Sequence, residues 1–222
     1  MIFDYDGTLV DSEPAHALAT RAGLAEAGID LSIEEFMARW VGLPDVECYR
    51  GVAEDRGVIL DPAVFERVRG AKNRFYEATV LEGRVPLCEG AVELVRALGG
   101  RARLAVCSAA RRVEIESTLA RHGLLDVFGT IVAVEDVARS KPDPQGYRLA
   151  ARRLELEPDA CVAIEDTPRG VHAARGAGMR VVAVAQTLPS SRLVGEGPSL
   201  VVDRLADLTP EALLALAAEP RA

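Results

Sequence analysis

The chain opens Met1-Ile2-Phe3-Asp4-Tyr5-Asp6-Gly7-Thr8-Leu9-Val10-Asp11-Ser12. A short apolar run ends in two carboxylates one residue apart, and Gly7-Thr8 turns the chain. A strand ending in acid-x-acid points carboxylates past its carboxyl end, which in an open parallel sheet is where ligands bind. Two anions this close repel, so either one holds a proton or a cation holds both. A carboxylate nucleophile with an acid/base partner and a divalent metal is equipped for phosphoryl transfer through an aspartyl-phosphate.

Working outward, residues 13–27 have helical spacing, with Asp11 or Ser12 as the expected cap ahead of Glu13-Pro14. Ser32-x-x-Glu35 is a capping box leading into Phe36, Met37 and Trp40, which are expected to pack a small core. Residues 44–57 and 62–80 read as two further helices, making a four-helix bundle. From Pro86 the pattern alternates: helices over 89–99, 111–122, 144–155 and 168–177, and strands over 104–108, 130–134, 161–165, 180–185 and 200–202. The strands are continuous apolar runs, as expected when both faces are covered. The fold class is therefore α/β: a doubly wound, mostly parallel, Rossmann-like sheet with an inserted α-helical cap domain. Residues 1–11 and 84–222 are expected to form the sheet domain and 12–83 the insert, a lid over the acidic pair.

Each strand end carries a polar signature. Ser108, followed by Ala109-Ala110 and a helix start, supplies a hydroxyl and amides for an anion, and is also expected to cap that helix. Ser140-Lys141-Pro142-Asp143-Pro144 presents an ammonium from a stiffened backbone, and Asp143 is placed to cap the next helix. Glu165-Asp166-Thr167-Pro168 supplies a second acid pair that can complete an oxygen-rich Mg²⁺ site.

Asp4-Tyr-Asp6-Gly-Thr-Leu, Val106-Cys-Ser108, Lys141-Pro-Asp-Pro and Ile164-Glu165-Asp166 together resemble the motifs of the haloacid dehalogenase superfamily, in its sugar-phosphatase and β-phosphoglucomutase branch. The resemblance covers nearly the whole chain. It implies that Asp4 is the nucleophile, Asp6 the general acid/base, and Thr8 a hydrogen-bond partner near Asp6 at the substrate site. Ser108 and Lys141 would hold the phosphoryl oxygens. Asp166 would ligate Mg²⁺ with the Asp4 carboxylate and the Asp6 carbonyl, Glu165 supporting or sharing that role. His16 and Lys72 match positions that, in mutase-type relatives, help place the acid/base group and reach the substrate. Ala109 and Arg111 fall in the loop after Ser108, where substrate is selected, and Arg111 and Arg112 could supply cations there.

A mutase must also grip a distal phosphate. Where mutase-like chains place an arginine this one has Asp45, an anion that repels a phosphate, and the small Ala109-Ala110 pair lacks a hydroxyl such mutases use. A phosphatase is the expected activity, with a phosphomutase as the alternative. Dehalogenation needs neither Asp6 nor the Glu165-Asp166 pair, and a phospho-accepting receiver module lacks a large insert after its acidic strand.

Composition agrees. The 222 residues are 49% apolar with a net charge of −8, which argues against a nucleic-acid partner. No run is long enough to span a membrane, and the start lacks a signal pattern, although residues ahead of Met1 would lengthen a short opening strand. Four scattered cysteines, Cys48, Cys88, Cys107 and Cys161, suggest neither a zinc site nor a disulfide framework. The expected protein is cytoplasmic, a monomer or weak dimer, acting on a small-molecule phosphomonoester.

Overall fold

The computed structural model describes residues 1–219. It divides into two compact units: Met1–Asp11 with the chain from Pro86 onward, and Ser12–Val85. The chain enters the first unit through β1 (Ile2–Phe3), too short to stand alone and held by neighbours on both sides.

The second unit comprises α1 (Glu13–Ala25), α2 (Ile33–Arg39), α3 (Asp45–Asp55) and α4 (Pro62–Leu81). Ser32 caps α2 by accepting from the Glu35 amide at 3.0 Å, and Asp61 caps α4 by accepting from Val64 at 2.8 Å. Ser12 precedes α1 but its hydroxyl makes no capping bond; its carbonyl accepts from His16 instead, and Pro14 leaves one fewer amide to satisfy. At Gly23 a Cβ would lie 2.7 Å from the Val68 carbonyl, so glycine permits the close packing of α1 on α4. Leu24, Leu31, Phe36, Trp40, Tyr49, Val52 and Val68 fill the core. Met37, expected among them, is 41% exposed: Phe36 and Trp40 share one face at i, i+4, and residue 37 is rotated about 100° away.

The Arg84 amide still bonds to Thr79 of α4, whereas Asp11 donates to Pro86 and Val10 bridges to Leu87. The return to the sheet therefore lies between residues 85 and 86, two later than the expected 83/84 boundary.

The sheet unit continues through α5 (Ala91–Leu98), β2 (Ala105–Cys107), α6 (Arg112–Arg121), β3 (Thr130–Val132), α7 (Gln145–Arg153), β4 (Val162–Glu165), α8 (Pro168–Gly176), β5 (Arg180–Val184), α9 (Ser190–Val194), β6 (Leu200–Val202) and α10 (Pro210–Ala218). The short α9 and the terminal α10 have no counterpart among the helices expected from the sequence. The strand order is β3-β2-β1-β4-β5-β6, every pair parallel, with helices on both faces. Ile2 is in register with Ala105 of β2 and Ala163 of β4. Ile2, Ala105, Cys107, Ala163, Val181 and Ala183 join Tyr147, Ala150, Val171 and Ala174 of α7 and α8 in one core. The order reverses at β1, so a crevice opens past the carboxyl ends of β1 and β4.

Candidate active site

Asp4 follows β1 directly. Its amide still donates to Ile164 of β4 at 2.9 Å, so its side chain is fixed by sheet pairing. The Asp4 Oδ1 accepts from the Tyr5 amide at 2.7 Å and from Lys141 Nζ at 2.8 Å. Tyr5 is buried and its hydroxyl donates to Thr118 Oγ1 at 2.7 Å, tying the turn to α6. The turn closes through Leu9 and Val10 amides on the Tyr5 carbonyl. Gly7 sits at φ +68°, and a Cβ there would lie 2.0 Å from Asp166 Oδ2. Asp166 thus packs directly over the turn, a closeness only glycine allows.

Thr8, expected beside Asp6 at the substrate, is fully buried, and its hydroxyl donates to Asp166 Oδ1 at 3.4 Å. It orients an acid of the other strand end. Asp6 is half-buried on the turn. Ser108 follows β2; its amide donates to Val132 and its Oγ accepts from the Ala110 amide at 3.0 Å. That bond tightens the loop and does not cap α6, because α6 begins only at Arg112. There, Glu114 accepts from the Arg111 amide instead. Ala109 and Arg111 are exposed on this loop. The Arg112 guanidinium is committed elsewhere, to Glu116, Asp136 and the Ile131 carbonyl on the sheet edge, so it is no spare cation.

Lys141 is presented by a locked loop. Asp143 accepts from the Gln145 amide at 2.9 Å and from Arg139 Nε at 2.6 Å, and Arg169 donates to the Lys141 carbonyl at 2.7 Å. The Lys141 ammonium bridges Asp4 and Glu165 Oε1, the latter at 2.5 Å.

Ligand atoms of Asp4, Glu165 and Asp166 all lie within 4.8 Å of one another, and all three residues are buried. Burial, then the Glu165 charge, pushes Asp4 up to about 7, against the pull of Lys141; Asp6 adds a smaller upward push. Burial works against the Lys141 ammonium, but Asp4 and Glu165 outweigh it and hold its pKa above the ordinary lysine range. Three clustered buried acids with one lysine on two of them leave an excess of carboxylate over ammonium. An all-oxygen donor set with that excess fits a hard divalent cation. The Cys107 thiol beside the site is pushed up to about 12 by burial, and stays a thiol.

In the helical unit, the His16 ring stacks on Tyr76 with centroids 4.0 Å apart. Lys72 is buried, and its Nζ donates to both Asp45 oxygens at 3.0 and 3.1 Å. The residue that repels a phosphate thus also neutralises this lysine.

Several contributors went unread in the sequence. Gln186, after β5, donates to the Gly7 carbonyl at 3.0 Å and accepts from Leu205, clamping the acidic turn. Tyr147 of α7 donates to Glu165 Oε1. At Gly170 of α8 a Cβ would lie 1.9 Å from Glu165 Oε2. Tyr147 had a faint signal, a hydroxyl-bearing aromatic in the first turn of the helix after Lys141; the other two had none.

A parallel sheet with a buried carboxylate–lysine cluster at its switch point is the architecture of an enzyme. Residues 1–184 match the family model of haloacid dehalogenase-like hydrolases, and the chain belongs to that family. It is 34% identical over 184 residues to fructose-1-phosphate phosphatase YqaB of Escherichia coli, covering 83% of this chain and 95% of that one. It is 32% identical to protein CbbY of Rhodobacter capsulatus, covering 97% and 96%. The crystal structure of CbbY from Rhodobacter sphaeroides in complex with phosphate superposes with a TM-score of 0.74 at 29% identity, covering 93% and 94%.

Proposed function

We propose that this phosphoric monoester hydrolase is a Mg²⁺-dependent phosphatase of small phosphomonoesters, sugar phosphates foremost, working through an aspartyl-phosphate on Asp4. The observation that carries the reading is the Lys141 ammonium bridging Asp4 and Glu165 beside Asp166. Phosphatases acting on phosphorylated sugars among the relatives support it.

Asp4 attacks phosphorus in line, forming an O–P bond as the ester P–O bond breaks. Asp6, protonated, donates to the departing alkoxide and leaves an alcohol. Asp6, now ionised, takes a proton from water, whose oxygen attacks phosphorus and frees Asp4 and inorganic phosphate. Lys141 and the Ser108 hydroxyl hold phosphoryl oxygens; Ser108 accepts from Ala110 and keeps its own hydrogen to donate. Mg²⁺, held by Asp4, Asp166 and the Asp6 carbonyl, would neutralise charge on the transferring group.

The helical unit and the loop carrying Ala109 and Arg111 select the substrate, with His16 and Lys72 as the helical unit's contributors. A mutase reading is not favoured, because a distal phosphate reaching Lys72 has to displace the Asp45 carboxylate. The setting is cytoplasmic, the protein a monomer or weak dimer. The test is phosphate release from a panel of small phosphomonoesters with and without Mg²⁺, wild type against Asp4→Asn. Release that needs Mg²⁺ and Asp4 is expected. Isomer interconversion without net phosphate release overturns the reading.

A further inference from the structure

Glu165 lies among the acids that could hold a cation, yet its carboxylate is fully engaged. It is 0% exposed. Its Oε1 accepts from Lys141 Nζ and the Tyr147 hydroxyl; its Oε2 accepts from the Asp166 amide at 3.3 Å and Thr167 Oγ1 at 3.5 Å. Gly170 opens the space it occupies beside the first turn of α8. Lys141 Nζ also lies 5.3 Å from the Tyr147 ring centroid, so Tyr147 touches both partners of the pair. Asp166 differs: its Oδ1 has the Thr8 hydroxyl, and its Oδ2 lies over Gly7 at the acidic turn. For Glu165 to ligate a cation through Oε1 it must give up the Lys141 ammonium, and through Oε2 it must turn from Gly170 and release the Asp166 amide and the Thr167 hydroxyl.

We propose that Glu165 and Tyr147 form a buried holder that sets the Lys141 ammonium on Asp4, and that Glu165 is thereby a positioning residue and not a cation ligand. The proposal deepens the phosphatase reading and rests on it only for its kinetic arm. Tyr147 fixes the Glu165 carboxylate by its hydroxyl and floors the lysine by its ring. Glu165 in turn restricts the ammonium to the arc facing Asp4. Held there, Lys141 meets a transferring phosphoryl group without reorganising, a gain realised in the transition state more than in binding.

The experiment uses the full chain and the variants Glu165→Gln, Tyr147→Phe and Asp166→Asn. Mn²⁺ affinity, read by electron paramagnetic resonance, needs no turnover. Asp166→Asn is expected to weaken it about tenfold or more, and the other two to stay within about threefold of wild type. Against the best phosphomonoester of the panel, Glu165→Gln and Tyr147→Phe should lower kcat by about 10- to 100-fold with KM nearly unchanged. Lys72 and Lys141 are the only lysines in the chain, so amine arylation read by peptide mass gives an internal control. Labelling of Lys141 should rise severalfold in both holder variants while that of Lys72 stays constant; general loosening would raise both. Loss of Mn²⁺ affinity in Glu165→Gln equal to that in Asp166→Asn overturns the proposal, as does wild-type kcat or unchanged Lys141 labelling in Tyr147→Phe. A wild type that releases no phosphate defeats the phosphatase reading alone, and the Mn²⁺ and labelling arms still decide the holder.

Discussion

In the nucleophile role proposed for Asp4 two demands conflict: the attacking carboxylate must be ionised, and burial favours its neutral form. A protein that raises this group to about 7 and surrounds it with acids depends on positive charge to deprotonate it. Asn in its place keeps the shape but offers no anionic oxygen, so Asp4→Asn should reduce phosphate release by about 1,000-fold or more in a steady-state assay. The raised pKa also has a stability consequence. The folded state keeps a proton on Asp4 up to about 7, while the unfolded chain releases it near the ordinary 3.8. Stability from this group is therefore complete at low pH, declines as pH rises from about 4, and is gone above about 7. Urea titrations without divalent cation should show wild type losing stability from pH 5 to pH 8 by more than Asp4→Asn does. A divalent cation held by Asp4 would compete with the same proton, so Mg²⁺ affinity should rise with pH through about 7, measured by calorimetry.

At the scale of elements, the carboxyl ends of β1, β2 and β4 and the loop before α7 deliver the polar groups, and glycines set how closely the elements approach. Gly23 lets α1 lie against the Val68 carbonyl of α4. Gly23→Ala should cost about 1–3 kcal/mol in denaturant unfolding, because an added Cβ forces the two helices apart. Thr167 caps α8 by accepting from Gly170 at 3.2 Å, and Thr167→Ala should cost about 1 kcal/mol by the same measurement. The helices and strands themselves were legible. Alternation of apolar runs with 3.6-residue patterns located the strands and the longer helices, and Ser32 marked a helix start. Met37 was misplaced because a hydrophobic residue next to Phe36 reads as core until the helix face is known. Ser108 was read as a cap because a hydroxyl near a helix start usually is one; here the helix begins four residues on, at Arg112, and the hydroxyl serves the loop.

Over the whole molecule, charge and topology act together. A chain of net charge −8 concentrates three buried acids at one point of its sheet, so a bound divalent cation should stabilise the folded state by mass action. Mg²⁺ at 100 times its dissociation constant should add about 2.7 kcal/mol, and Asp166→Asn should lose about half of that gain or more in a thermal shift assay. The acid-x-acid turn, the serine, the lysine and the second acid pair were visible as a linear series because each sits in a short loop whose chemistry is local. Their common edge followed from strand-helix alternation, which permits only a parallel sheet with its loops at one end. Pairing partners were a different matter. Gln186 reaches a carbonyl 179 residues away, and Tyr147 reaches Glu165 across 18 residues and two elements. Thr8 turned to Asp166, 158 residues on, instead of its neighbour Asp6. Periodicity and turn chemistry are properties of neighbouring residues, and they specified which elements form and which functional groups end them. The direction each buried side chain faces depends on register between β1 and β4 and on how α7 and α8 pack the sheet, so the partners of Asp4, Glu165 and Asp166 emerged only when the chain closed on itself.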